Sequence, residues 1–372
     1  MLRTKIIIVG PASPLRGGIS DFNEALAKSL VEKGFLVEII SFSLQYPKFL
    51  FPGKSQNRVE QSVDFKFKIT PLINSINPIS WWKTAKYIKS KKPSKVFIRF
   101  WMPFFAPCLG VIGGYLKRNN FSVFGIVDNA IAHEKRFGDT RLVNFFLNKC
   151  NSHFTLSEKV KNDIKTINNT VSVESLFHPI YNTYSKITNK DSALKKLNLN
   201  EGKYILFFGL IRKYKGLDLA IKAMSNKLII QKNIKLIIAG EFYDSEDKYQ
   251  KLVKDLNLKN IIIFNHFIEK KHVPDFFSVS NLVILPYTSA TQSGVTQLAM
   301  YYKKPMLVTN VGGLPEIIDH NKDGYISSTN PEEMSKYILD YFSKDTNEIE
   351  MSSAVSEKQS SYSWDNFVDK II

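Results

Sequence analysis

The chain has 372 residues, 44% hydrophobic and 13% aromatic, and its 51 Lys and Arg against 34 Asp and Glu give a formal net charge of +17. That apolar share excludes a disordered polymer, and no collagen, coiled-coil or solenoid period runs through the sequence. The length exceeds what one core usually holds, so two domains are expected. The positive balance points to a polyanionic partner, whether nucleic acid, anionic lipid or phosphorylated ligand.

The first element follows a basic start, Met1 to Lys5, and consists of Ile6 to Val9 before Gly10-Pro11. This run is too short for the apolar region of a signal peptide and reads as a first buried strand. A helix pattern over Ser20–Glu32 follows, stopped by Gly34, and then a strand over Leu36–Phe42. Tyr46 to Lys54 is an aromatic, basic loop. Trp81 to Lys92 is helix-length: Trp81, Ala85 and Ile88 share one face and Lys83, Lys86 and Lys89 another. That pattern fits either a membrane-surface helix or a packed helix with a solvated lysine face. Further strands are expected at Lys95–Phe100, Ser122–Val127, Ser152–Leu156 and Val171–Ser175. The uncharged stretch Phe100–Leu116 is broken by Pro103, Pro107, Gly110, Gly113 and Gly114. It falls short of the roughly 20 apolar residues of a spanning helix and reads as soluble core. Cys108 and Cys150 are the two cysteines. Without a CxxC spacing they exclude a disulfide-stapled or zinc-ribbon domain and fit a reduced cytosolic setting.

From His178 to Gly202 the chain is polar and rich in Asn and Lys, and reads as a linker. A second strand series then starts at Tyr204–Phe208 and continues with Lys235–Ala239, Ile261–Phe264, Leu282–Leu285 and Met306–Val308. Such alternation with helical segments predicts parallel sheets covered by helices on both faces. The expected fold is α/β, two doubly wound domains over 1–180 and 203–357, with 181–202 as linker and 358–372 as a terminal helix. Ligands of such sheets sit outside the carboxyl ends of the strands, so two facing sheets predict a site in a cleft.

Two segments stand at those ends. Gly10 to Ser20 lacks the GxGxxG spacing, but Gly17-Gly18 precedes a helix start. The pair is either an anion-facing helix N-terminus or an ordinary tight turn. Phe208-Gly-Leu-Ile-Arg-Lys-Tyr-Lys-Gly-Leu-Asp218 joins a strand to a helix and puts Arg212, Lys213 and Lys215 at the strand's carboxyl end. Three cations there are either a site that retains a departing diphosphate or a solvated charge cluster.

Gly209 to Gly216 resembles the GRLxxxKG segment of the GT-B glycosyltransferases of family 4, the retaining, nucleotide-sugar-dependent group. Other matches follow in order: Gly17-Gly18 with Phe22, Ala27, Leu30 and Gly34; Asp128-Asn129 through His133-Glu134, similar to HNxxxHE; Ser157 to Val160; Pro286-Tyr287 through Lys304-Pro305; Val311-Gly-Gly-Leu-Pro-Glu316; and Tyr362 to Phe367. The last resembles the helix that crosses back onto the first domain. The departures are specific. The family arginine falls at Leu210, and Arg212, two residues on and on the same face of a strand, stands in for it. The E-x7-E pair is missing, its acids falling at Ala290 and at Leu298 beside Gln297. What remains is Gln292 to Val295 opening a helix, whose free amides suit phosphate.

The resemblance implies a GT-B enzyme that moves a hexose from a nucleotide diphosphate sugar to a hydroxyl of a saccharide or lipid-linked saccharide, with retention, in surface glycan synthesis. It implies His133, Arg212 and Lys215 as catalytic residues. Gly17, Gly18, Ser293, Gly294, Val295, Gln297 and Glu316 are implied as donor-binding. Glu316 is expected to open a helix and reach the donor ribose or sugar. His153, His178, His266, His272 and His320 read as structural. No metal or cofactor is expected, cationic groups and helix dipoles taking the place of a metal. A cytoplasmic enzyme, peripheral at an anionic membrane face, is the expected setting. An epimerase of the same fold lacks its cluster of acids and histidines here. A basic binding protein for membrane or nucleic acid is the rival class. No RNP, KH or helix-turn-helix signature supports a nucleic-acid partner.

Overall fold

The computed structural model describes residues 4–47, 56, 65–131, 136–181, 184–344 and 346–372. These form two compact units, 1–178 with 364–372, and 179–363.

The first unit opens with β1 (Lys5–Val9), α1 (Gly18–Glu32), β2 (Leu36–Leu44) and β3 (Lys68–Asn74). It continues through α2 (Pro78–Ser90), β4 (Lys95–Phe100), α3 (Ala106–Arg118), β5 (Ser122–Val127), α4 (Asp139–Leu147), β6 (Ser152–Thr155), α5 (Glu158–Ile167) and β7 (Val173–Ser175). The strands make a parallel sheet in the order β3-β2-β1-β4-β5-β6-β7. Both faces are buried: Ile7, Val9, Ile98 and Phe100 join one core, and Ile6, Ile8, Phe97 and Ile126 the other. This is why the strands read as continuous apolar runs. α1 ends where Gly34 takes φ +90°, and the Phe35 amide donates back to the Leu30 carbonyl at 3.0 Å. Only glycine adopts that left-handed turn without strain.

Inside this unit the Arg99 guanidinium is paired two-fold with Asp128, its Nε 2.7 Å from Oδ2 and its Nη2 on Oδ1. It also lies 3.7 Å over the Phe22 ring. Burial pushes the Asp128 carboxyl above the usual range, and the Arg99 charge works against that rise.

α2 settles its two readings in part. Asn77 caps it by accepting from the Ile79 amide, and Thr84, Ala85 and Ile88 are buried. The half-buried Trp81 donates from Nε1 to the Asn74 carbonyl at 2.7 Å. Its other face carries Trp82, 48% exposed, with Lys86 Nζ 3.5 Å above the ring centre. Most of Phe100–Leu116 is buried as expected, with Met102 and Val111 exposed. The glycines of α3 admit its neighbours closely, for a Cβ at Gly110 would fall 2.5 Å from Cε1 of Phe145. Among the described residues no helix is long and apolar enough to cross a membrane. The cysteines are free and buried, and burial pushes both thiols up to about 12.

The second unit comprises α6 (Lys190–Lys196), β8 (Lys203–Phe208), α7 (Leu217–Ala223), α8 (Lys227–Gln231), β9 (Ile234–Ala239), α9 (Glu246–Asp255) and β10 (Ile261–Phe264). Then come α10 (Val273–Val279), β11 (Leu282–Leu285), α11 (Gly294–Tyr301), β12 (Met306–Thr309), β13 (Gly324–Ser327), α12 (Pro331–Tyr341) and α13 (Thr346–Gln359). Its parallel sheet runs β10-β9-β8-β11-β12-β13. The segment 181–202, expected as a linker, contributes to this unit. α6 buries Ala193 and Leu194, Lys196 Nζ pairs with the buried Asp275 at 3.0 Å, and Thr188 Oγ1 donates to the same carboxylate at 3.0 Å. Its polar composition hid those buried anchor points.

The chain returns to the first unit as α14 (Trp364–Ile371), which packs on α1 through Trp364 and Phe367, with ring centres 4.9 and 5.7 Å from Phe22. Residues 358–363, expected in that helix, end α13 and make a short 3-10 turn instead.

Candidate functional site

In the second unit the loops after β8, β11 and β12 are laced together. The Thr288 amide donates to the Tyr214 carbonyl at 2.8 Å, Thr309 Oγ1 to the Tyr287 carbonyl at 2.6 Å, and the Gly313 amide to the Thr291 carbonyl at 3.2 Å. Two glycines permit this. Gly216, at φ +64°, would set a Cβ 1.9 Å from the Pro286 carbonyl oxygen, and Gly312, at φ +57°, one 1.5 Å from that of Ala290.

Arg212 is extended and starts a one-turn 3-10 helix, Lys213–Lys215, that turns Lys215 inward. Of the three cations expected here Lys215 is buried, at 8% exposure, whereas Arg212 and Lys213 are exposed. The Arg212 guanidinium carbon lies 5.0 Å from the Tyr243 ring centre. Lys215 Nζ lies 5.6 Å from the Tyr287 ring centre, and among the described residues no carboxylate pairs with it. Burial first, and the Arg212 charge second, hold its pKa down at about 7. An ammonium placed so gains most when an anion arrives.

Gly209 lies beside this ammonium. A Cβ built on it would lie 3.2 Å from Lys215 Nζ and 3.5 Å from Val295 Cγ2. Lys215 and the start of α11 thus flank one glycine. Ser293 caps α11, its Oγ accepting from the Val295 amide at 3.2 Å and meeting Tyr287 Oη at 3.1 Å. The expectation of free amides from Ser293 to Val295 is corrected here. The Val295 amide is taken by the cap, and those of Ser293 and Gly294 have no partner among the described residues. Tyr181 Oη would lie 3.2 Å from a Cβ at Gly294. Gln297 is buried at 2%, its Oε1 without a partner among the described residues.

Glu316 does not open a helix. It sits exposed in a 3-10 turn, Pro315–Ile317. A single 3-10 turn has no developed helix dipole, so a dipole does not account for the acid.

In the first unit, at the carboxyl end of β1, the loop after Gly10 is pinned. The Ser13 amide donates to Glu24 Oε1 at 2.7 Å, Asn23 Nδ2 to the Pro11 carbonyl at 2.9 Å, and Ser20 Oγ to the Leu15 carbonyl at 2.8 Å. Gly17, at φ +123°, is the N-cap of α1, Gly18 is its first residue, and open space surrounds Gly17. His133 and Glu134 lie outside the described residues, as does most of the aromatic loop 46–54. His153 is a buried strand residue pushed down to about 4 by its burial, with Nδ1 3.0 Å from the Ser172 carbonyl. Sequence reasoning placed Tyr287 in a matched segment but gave it no role, and the structure sets it between Lys215 and Ser293. Its signal was an aromatic residue directly after a fully apolar strand and a proline.

Residues 189–359 match the family described as Glycosyl transferases group 1. Over 232 residues the chain is 27% identical to an uncharacterized glycosyltransferase of Methanocaldococcus jannaschii, covering 59% of this chain and 58% of that protein. To spore coat protein SA of Bacillus subtilis it is 21% identical over 385 aligned positions, covering 97% of this chain and 95% of that one. Among solved structures, Anabaena HepE in complex with UDP-glucose superposes with a TM-score of 0.72 at 13% identity, covering 99% of both chains. The fold is GT-B, with two parallel-sheet Rossmann-like domains.

Proposed function

We propose that the protein transfers a hexose from a nucleotide diphosphate sugar to a hydroxyl of a saccharide or lipid-linked saccharide, with retention, in surface glycan synthesis. The observation that carries this reading is the convergence of Lys215 Nζ and the start of α11 on Gly209. A buried cation beside two amides that have no partner among the described residues suits a diphosphate. In the step, the bond between the sugar C1 and the diphosphate oxygen breaks, and its electron pair leaves on the diphosphate. Lys215, Arg212 and the amides of Ser293 and Gly294 take up that charge. The acceptor oxygen bonds to C1 on the face the diphosphate leaves, and its proton passes to the departing phosphate oxygen. The resemblance gives His133 the orienting of the donor, Gly17 and Gly18 a part in binding it, and Glu316 a contact with its ribose or sugar. Gln297 supports α11 from within.

HepE, of the same fold, binds UDP-glucose, which makes a uridine donor the first to try. The exposed face of α2, with Trp82 beside Lys83, Lys86 and Lys89, suits an anionic membrane surface where lipid-linked acceptors reside.

The test is a thermal-shift panel of UDP, GDP, ADP, CDP and dTDP on wild type and Lys215→Ala. One nucleotide is expected to raise the melting temperature of wild type and not of the variant. Silence of the whole panel overturns the reading.

A further inference from the structure

The turn that carries Glu316 is held from behind by the last residues of α13. Lys358 Nζ donates to the Ile317 carbonyl at 3.0 Å, to Asp323 Oδ2 at 2.6 Å, and pairs with Asp319 Oδ2 at 3.1 Å. Asp323 is in turn fixed, its Oδ1 accepting from the Asp319 amide at 2.8 Å. The next residue, Gln359, donates from Nε2 to the carbonyls of Met300 at 2.6 Å and Tyr301 at 3.1 Å, the closing carbonyls of α11. Two consecutive side chains thus grip two segments that reach the site from different strands. Lys358 is 18% exposed and Asp323 4%, so the grip is mostly out of water, where removing one partner leaves the other uncompensated. The two carboxylates keep Lys358 charged despite its burial.

We propose that Lys358 and Gln359 are positioning residues for the donor. They set the turn bearing Glu316 and the axis of α11, whose opposite end presents the Ser293 and Gly294 amides. The inference rests on the donor reading of this site, and it adds that the precision of both contacts is stored in one helix end that touches no substrate.

The experiment compares wild type, Lys358→Met and Glu316→Gln, singly and combined. Amide hydrogen exchange is read without nucleotide, and dissociation constants are read by calorimetry with UDP-glucose, GDP-mannose and ADP-glucose. Lys358→Met is expected to speed exchange over 317–323 and to weaken sugar-nucleotide binding about tenfold. In the Glu316→Gln background that loss is expected to shrink to within about twofold, because neighbouring residues that act through one contact are not additive. Should Lys358→Met fail to fold, Asp319→Asn removes only the exposed partner and is read the same way, with a smaller loss. Unchanged exchange overturns the inference, as does a binding loss that persists in full beside Glu316→Gln. Wild type binding none of the three overturns the donor reading itself, and the nucleotide-free exchange tells that failure from failure of the grip.

Discussion

Lys215 and Tyr287 form a pair in which the ammonium nitrogen stands 5.6 Å from the ring centre, with no carboxylate among the described residues to share it. A pKa held down at about 7 makes the free site's charge depend on pH. Diphosphate binding favours the protonated amine, so affinity for UDP is expected to fall as pH rises from about 6 to about 8.5, with proton uptake on binding at the upper end. Calorimetry in buffers of different ionisation enthalpy measures both. In Lys215→Arg the dependence should flatten, since a guanidinium stays charged throughout.

The same lowered pKa has a consequence for stability. Between about pH 7 and the ordinary lysine value near 10.5 the unfolded chain binds the proton and the folded site does not. Stability contributed through Lys215 should therefore rise with pH across that window, the cost of burying the charge being largest below it. Urea midpoints of wild type against Lys215→Met, taken at both ends of the window, isolate the effect, and a difference that does not change with pH refutes it.

Gly216 and Gly312 admit no side chain, because each would drive a Cβ into a carbonyl oxygen, at 1.9 and 1.5 Å. Gly216→Ala and Gly312→Ala should each lose about 2–3 kcal/mol, from overpacking and from the positive φ together. Gly17→Ala meets no contact among the described residues but should still lose about 1–3 kcal/mol, because φ +123° with ψ 162° is a conformation open essentially to glycine alone. Denaturant unfolding of the three variants gives the order directly.

Arg99 and Asp128 should be worth more apart than together. Arg99→Met leaves a buried carboxylate unpaired and is expected to cost about 3–5 kcal/mol, whereas Arg99→Met with Asp128→Leu should recover much of it. If the double variant is as unstable as the single, packing of the guanidinium on Phe22 outweighs the charge pairing.

On α2, Trp82→Ser with Lys83→Glu and Lys86→Glu should weaken co-sedimentation with phosphatidylglycerol vesicles severalfold while leaving the melting temperature near wild type, since Trp82 lies on the exposed face. Equal binding to neutral vesicles by wild type would count against the anionic surface.

The strands most plainly legible in the sequence are those buried on both faces, such as Ile6 to Val9 and Tyr204 to Phe208, where burial writes an unbroken apolar run, although the edge strands β7 and β10 are expected from it too. The two it hid, β3 and β13, are edge strands. β3 contains Pro71, and β13 has four residues, so neither shows the pattern of a central strand. At the candidate site the segment from Gly209 to Gly216 was legible because positive φ and close backbone approach leave glycine no substitute. The cap by Ser293 was legible as a helix start. Its consequence, that the hydroxyl occupies the Val295 amide, depends on a rotamer. Nor does sequence show that Lys358 grips a turn 41 residues upstream, since such a bond has no spacing rule.

The return of Trp364–Ile371 to the first unit separates the order of synthesis from the order of completion. Residues 179–363 are one continuous stretch and hold everything the second unit needs, whereas the first unit waits for Trp364 and Phe367 to cover Phe22. The part made first is therefore finished last. Until α14 has been synthesised the apolar face of α1 stays open on a nascent chain, the stage at which chaperone dependence and aggregation are to be sought.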